Sequence, residues 1–168
     1  MKDSLKLADL LEIAIRAEEN AAKLYMGLQR KFAAVESVAA FWASYAADEG
    51  QHARWLRELK QRLSQTELQQ PVRELDGLVL LSAAKLMDAS AENLLNQIAD
   101  LDQAYELANE LEHGETNILF EFLMEHFAGR ETNEFLRQQL QQHVTRLITA
   151  FPEPYSTPDM RRGVRAGG

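Results

Sequence analysis

The residues best equipped for chemistry in this chain are carboxylates and imidazoles set among apolar neighbours. Glu49-Gly50-Gln51-His52 places a carboxylate and an imidazole one helical turn apart. Alone this ExxH pair is a weak signal, because a chain with four histidines is expected to show on the order of 0.5 such pairs by chance. Its weight comes from the company it keeps. Inward positions of a bundled helix recur alternately at three and four residues, so each helix can be written as a seam and searched for side chains that do not belong among apolar ones. The first seam reads Leu7, Leu11, Ala14, Glu18, Ala21, Tyr25, Leu28, Phe32, and the second Val38, Trp42, Tyr45, Glu49, His52, Leu56, Leu59, Leu63. The third reads Leu101, Tyr105, Ala108, Glu112, Glu115, Leu119, Phe122, His126, and the fourth Leu136, Leu140, His143, Leu147, Ala150.

Four carboxylates (Glu18, Glu49, Glu112, Glu115) and two imidazoles (His52, His143) thus fall on inward faces, and no Lys or Arg lies in these seams to balance them. A buried carboxylate without a partner is costly and would sooner take up a proton. One divalent metal, or a pair, resolves the conflict, and oxygen with imidazole ligands suits iron, manganese or zinc. A lone inward Glu18 would ordinarily be read as a snorkelling side chain and a lone His143 as a hydrogen-bonded core residue; a shared level is what argues otherwise. Tyr25 is read as a core aromatic, with a hydroxyl in reach of a metal carboxylate as the alternative. His126 is read as a bundle-end residue and His113 as solvated. The run Arg161-Arg162-Gly163-Val164-Arg165 is read as a short solvated basic tail.

These side chains need helices to carry them. Apolar spacing is helical throughout and no segment reads as a strand, so the chain is all-α. The spacing predicts a first helix from about Ser4 to Phe32 and a second from about Ser37 to Leu63, joined by a short turn. A third runs from about Asp102 to Phe127, stopped at Ala128-Gly129, and a fourth from about Glu134 to Phe151. Between Ser64 and Leu101 lies a long crossover containing Pro71 and the apolar piece Leu78–Met87. Two short-looped hairpins joined by one crossover give a ferritin-like antiparallel four-helix bundle over residues 1–151, followed by a loose, proline-containing tail over 152–168. In that arrangement Glu18 and Glu49 both lie roughly 22–24 Å from the first turn at 1.5 Å per residue. Glu112 and His143 fall at the matching distance from the second, so all four helices deliver ligands to one layer.

Composition narrows the function classes. The chain has 168 residues, 46% of them hydrophobic, and a formal charge of -8. That balance argues against a nucleic-acid footprint. Without cysteine there is no thiolate metal site, iron–sulfur centre or thiol nucleophile, so any metal is held by oxygen and nitrogen. Neither a signal peptide nor an apolar run long enough to span a bilayer is visible, which reads as a cytoplasmic protein without membrane partners.

Glu18 followed by Tyr25, the Glu49/His52 pair, and Ala104-Tyr105-Glu106-Leu107-Ala108-Asn109-Glu110-Leu111-Glu112 together resemble the rubrerythrin-type branch of the ferritin-like superfamily over about residues 5–150. The resemblance implies a diiron centre, with Glu18, Glu49 and His52 serving one iron and Glu112 and His143 the other; Glu115 stands where the family places a further Glu. It departs at one point. The family brings a bridging Glu three or four residues before the fourth-helix His, and here Leu140 and Gln139 stand there. The family's rubredoxin module, which needs cysteines, is absent.

The resemblance leads to the expectation of a non-haem diiron protein that reduces peroxide or oxidises ferrous iron, with zinc or manganese able to substitute. No catalytic group beyond the metal ligands is expected, and electrons come from an external donor. The rival reading is a non-catalytic metal-binding or sensing bundle with a degenerate second metal position. A homodimer is expected from the apolar run Leu78-Val79-Leu80-Leu81.

Overall fold

A computed structural model describes residues 5–72 and 90–167, without the side chains of Glu115, Thr116, Arg130 and Glu131. Helices α1 (Leu7–Lys31) and α2 (Glu36–Arg62) form the first hairpin. A turn of helix, α3 (Gln65–Leu68), follows, and α4 (Ala91–Gln97) leads into α5 (Leu101–Glu112), α6 (Glu115–Phe127) and α7 (Arg130–Thr149). A 3-10 turn (Glu153–Tyr155) and α8 (Pro158–Gly163) finish the chain. The architecture is the all-α, ferritin-like four-helix bundle expected, with α5 and α6 together in the place of the third helix. Among the described residues no helix is long and apolar enough to cross a membrane.

The division of the third helix is the main departure from the periodicity. The helix stops at His113 and restarts after Gly114, whose backbone is extended (φ -89°, ψ -167°). A Cβ at Gly114 would lie 2.7 Å from the Glu110 carbonyl oxygen, so glycine alone fits this crowded break. The interruption moves the buried stripe of α6 to Leu119, Phe120, Leu123 and Met124 and leaves His126 exposed.

The crossover starts with a capping box, in which Ser64 Oγ accepts from Glu67 N while the Glu67 carboxylate accepts from Ser64 N. Its strand-like contact with the chain start (Leu7 N to Gln70 O, 3.0 Å; Val72 N to Leu5 O, 2.9 Å) closes the base of α1. The apolar piece Leu78–Met87, and with it the expected dimer surface, lies outside the described residues. Gly27 inside α1 lets α4 approach, since a Cβ there would collide with Leu95 Cδ1.

Residues 152–167, expected to be loose, fold back on the bundle. Leu101 N donates to Val164 O, Ala166 N to Ala99 O and Gly167 N to Lys31 O. Arg161, expected to be a solvated tail residue, is buried, pairs with Asp102 at 3.0 Å, and lies 4.2 Å from the centre of the Tyr105 ring. The reason is Asp102, a buried carboxylate at the start of α5, which draws both Arg161 and Arg162 onto it.

The core has two apolar halves. One gathers Leu7, Leu11, Leu56, Phe120, Leu136 and Leu140; the other gathers Tyr25, Leu28, Trp42, Leu101, Leu147 and Phe151. The polar side chains of the seams lie between them.

Candidate metal centre

α1, α2, α5 and α7 each bring a polar side chain into this intermediate layer. Glu18, Glu49, His52, Glu112 and His143 are none of them more than 4% exposed. Glu18 occupies an α1 face between the small Ala14 and the large Tyr25, both buried. Glu49 and His52 are one turn apart on α2, so both project to the same side. Glu112 is the last residue of α5, directly before the helix break, and His143 lies in the second half of α7. The side chain of Glu115, the sixth expected ligand, lies outside the described residues.

Glu49 joins the layer together. Its Oε2 is 2.9 Å from His52 Nδ1 and its Oε1 is 3.0 Å from His143 Nε2. Glu18 Oε2 approaches the same His52 nitrogen at 3.4 Å, and Glu112 Oε2 approaches His143 Nε2 at 2.9 Å. Two groups result, Glu18/Glu49/His52 and Glu49/Glu112/His143, each able to offer three ligand atoms within 4.8 Å of one another. Tyr25, the residue left between two readings, donates its hydroxyl to Glu112 Oε1 at 2.5 Å. It is both a core aromatic and a partner of a candidate ligand.

The protonation balance shows how strongly these groups depend on one another. Burial pulls the His52 imidazole down, but the adjacent Glu18 and Glu49 carboxylates outweigh it and push the pKa up to about 10. Burial opposes the charge on His143 too, yet contacts with Asp48, Glu112 and Glu49 push it up to about 12. Burial also works against the Glu49 carboxylate, and the two imidazoles overcome it to hold Glu49 well below its ordinary range. Glu18 goes the other way, raised well above the usual carboxylate value first by burial and then by the charge of Glu49.

A further set of contacts aims the His143 ring. Asp48 Oδ2 lies 3.1 Å from Nδ1 and accepts from Arg146 Nη1 at 2.5 Å, while Arg146 Nη2 donates to Ser44 Oγ at 2.7 Å. Tyr45 Oη donates to the His143 carbonyl oxygen at 2.8 Å. With Nδ1 engaged by a carboxylate, Nε2 is the nitrogen turned to the layer, the arrangement that orients metal-binding histidines. The seams did not reveal Asp48, Arg146 or Ser44, because these residues lie beside the seam. Their signal was one-turn spacing, Ser44 to Asp48 and His143 to Arg146.

The layer fits a divalent cation. Both oxygens of Glu18 and Oε2 of Glu112 are buried without an aligned hydrogen-bond donor, and the described ion pairs of Glu18, Glu49 and Glu112 are all with histidine. Orphaned carboxylate oxygens beside imidazole nitrogens are the donor set of iron, manganese or zinc. Leu140, which stands where the resemblance implies a second bridging carboxylate, is buried in the apolar half with Phe120 and Leu136.

Comparison with known proteins agrees with this geometry. A solved structure from Thermotoga maritima, provisionally described as a ferritin-like diiron-carboxylate protein, superposes with a TM-score of 0.67 at 17% identity, covering 91% of this chain and 99% of that one. At that identity the likeness speaks for the fold. No curated protein matches the chain. Residues 9–142 match the rubrerythrin family, and a match across most of the bundle, with helices that converge on a carboxylate and histidine layer, makes this chain a member of the rubrerythrin family, ferritin-like diiron proteins.

Proposed function

We propose that the chain is a diiron redox protein that reduces hydrogen peroxide, drawing its electrons from a separate donor. The observation that carries the reading is the pair of three-ligand groups sharing Glu49, since two ferrous ions held side by side could each give one of the two electrons that peroxide reduction needs. Iron bound there supplies the two electrons that, with two protons, convert one hydrogen peroxide into two waters. In this reading Glu18, Glu49 and His52 hold one ion, and Glu49, Glu112 and His143 the other.

The chain's own residues account for the remaining requirements. Tyr25 fixes the rotation of the Glu112 carboxylate, Asp48 fixes the tautomer and direction of His143, and the apolar halves above and below keep bulk water from the layer. Oxidation of ferrous iron for storage or handling is the close variant and uses the same residues.

Leu140 favours a second reading, a metal-binding bundle that fills one position and does not turn over. Elemental analysis combined with anaerobic ferrous loading and a peroxide challenge separates the two. Close to two iron per chain and stoichiometric oxidation by peroxide support the enzyme; one inert ion supports the bundle without turnover. A homodimer belongs to the same proposal, supported by the apolar run Leu78–Leu81 in the sequence.

A further inference from the structure

We infer that divalent cations reach the layer through the groove between the α5/α6 break and α7, with Glu112 as their first inner contact. This rests on the reading of the layer as a metal centre. The groove encloses about 600 Å³ and has Glu112 in its lining. Its walls are Ile118 on α6 and Leu140 and Val144 on α7, and its rim carries Asn117, Glu121 and Gln141.

Three features favour this face. The helix is interrupted immediately after Glu112, and Gly114 at the break has no side chain to close the wall. Glu112 is 3% exposed, and its Oε2 has no aligned donor although it lies 2.9 Å from His143 Nε2. A buried carboxylate oxygen left unmatched at the inner end of an open groove is suited to receive a cation. The rim supplies the matching charge: Glu121 is exposed, and Arg137, the cation of the groove, is engaged by Glu125 at 2.7 Å. Two other grooves among the described residues lack this connection. The one at the Trp55–Phe135 end of the bundle, about 400 Å³, and the one on the outer face of α7 have none of the candidate ligands in their lining.

The test follows cobalt(II) uptake by chelator-stripped full-length protein in stopped-flow, through the visible absorption of the bound ion, with final stoichiometry from elemental analysis. Val144→Trp and Gln141→Trp fill the groove, Glu121→Lys reverses its rim charge, and Phe135→Trp alters the other groove as a control. The expected result is unchanged final stoichiometry with uptake slowed about ten-fold or more by the tryptophans, and slowed several-fold by Glu121→Lys at low salt but not at high salt. Phe135→Trp should load like the wild type. Wild-type uptake rates in folded Gln141→Trp and Glu121→Lys overturn the access route, even if Val144→Trp fails to fold. If the wild type takes up no cobalt(II) or iron, the reading of the layer itself is what fails.

Discussion

Metal binding by stripped protein should expel close to one proton from an imidazole for every ion taken up, even well above neutral pH. A histidine of ordinary pKa, about 6.5, carries about 0.24 of its second proton at pH 7 and about 0.03 at pH 8. Two such residues would release only about 0.06 proton at pH 8. Here the carboxylates push His52 up to about 10 and His143 up to about 12, so each holds an essentially full second proton at both pH values. Each must give it up before its nitrogen can bind a metal. Two ions therefore displace about two protons at pH 8, a more than thirty-fold excess over ordinary histidines. Glu18, raised by burial and by Glu49, can only add to the count. The assay is anaerobic calorimetric titration with ferrous iron or manganese(II) in buffers of matched pH and different ionisation enthalpy, where the dependence of measured heat on buffer gives the protons released. A release near zero at pH 8 would show that the imidazoles are neutral before metal binds and would refute the electrostatic account of the layer.

Leu140→Glu should raise metal content or ferrous oxidation while costing the stripped protein about 3 kcal/mol or more, because it replaces a packed apolar side chain by a buried carboxyl group; equal cost with and without iron, and unchanged metal content, would show that position 140 does not serve the site. Glu49→Ala should abolish binding in both groups and remove the rise in melting temperature that metal gives, whereas exposed His113→Ala should stay within about 0.5 kcal/mol of wild type. Arg161→Ala should destabilise by about 3 kcal/mol in urea unfolding, since it removes a buried partner of Asp102, while Arg162→Ala, 62% exposed in its side chain, should cost under about 1 kcal/mol. Equal costs for the two arginines would mean that burial does not distinguish them.

The candidate site was largely legible in the sequence because an apolar seam makes a charged residue conspicuous. Glu18, Glu49, His52, Glu112 and His143 each interrupt an apolar stripe, and helix geometry alone converts their spacing into a common level. Seam spacing loses accuracy where the helix is broken. Running the third seam through His113-Gly114 placed Phe122 and His126 inward, whereas the break turns Phe120 and Leu123 to the core. Glycine was the signal there, but a lone glycine in a helical pattern is usually tolerated and does not reveal a break. The C-terminal segment departs from expectation for a different reason. Its prolines and basic run resemble a solvated tail, and the partner that orders it, Asp102, lies far away in sequence, where an N-terminal acidic residue looks like ordinary helix chemistry. Asp48 and Arg146 escaped because a seam holds only inward positions, while residues that steer a ligand stand at its side.

The two ligand groups are unequal, and the inequality sets the order in which they should fill. Glu18, Glu49 and His52 come from α1 and α2, a hairpin that packs more extensively than any other described pair of elements. Its short connection holds their spacing without help from the rest of the bundle. The other group needs Glu112, at the last residue of α5 beside a helix break, and His143 from α7, so its geometry depends on the docking of one hairpin against the other. Leu140 leaves that group without a second shared carboxylate, and a first ion on Glu49 reduces the negative charge that attracts the second. Binding should therefore proceed in two steps, the tighter at Glu18/Glu49/His52. His143→Ala should remove only the weaker step, and His52→Ala should remove the tighter one, leaving at most weak binding. Calorimetry on the two variants decides the matter: a tight step that survives His52→Ala but disappears in His143→Ala would place the stronger site between the hairpins and reverse the argument.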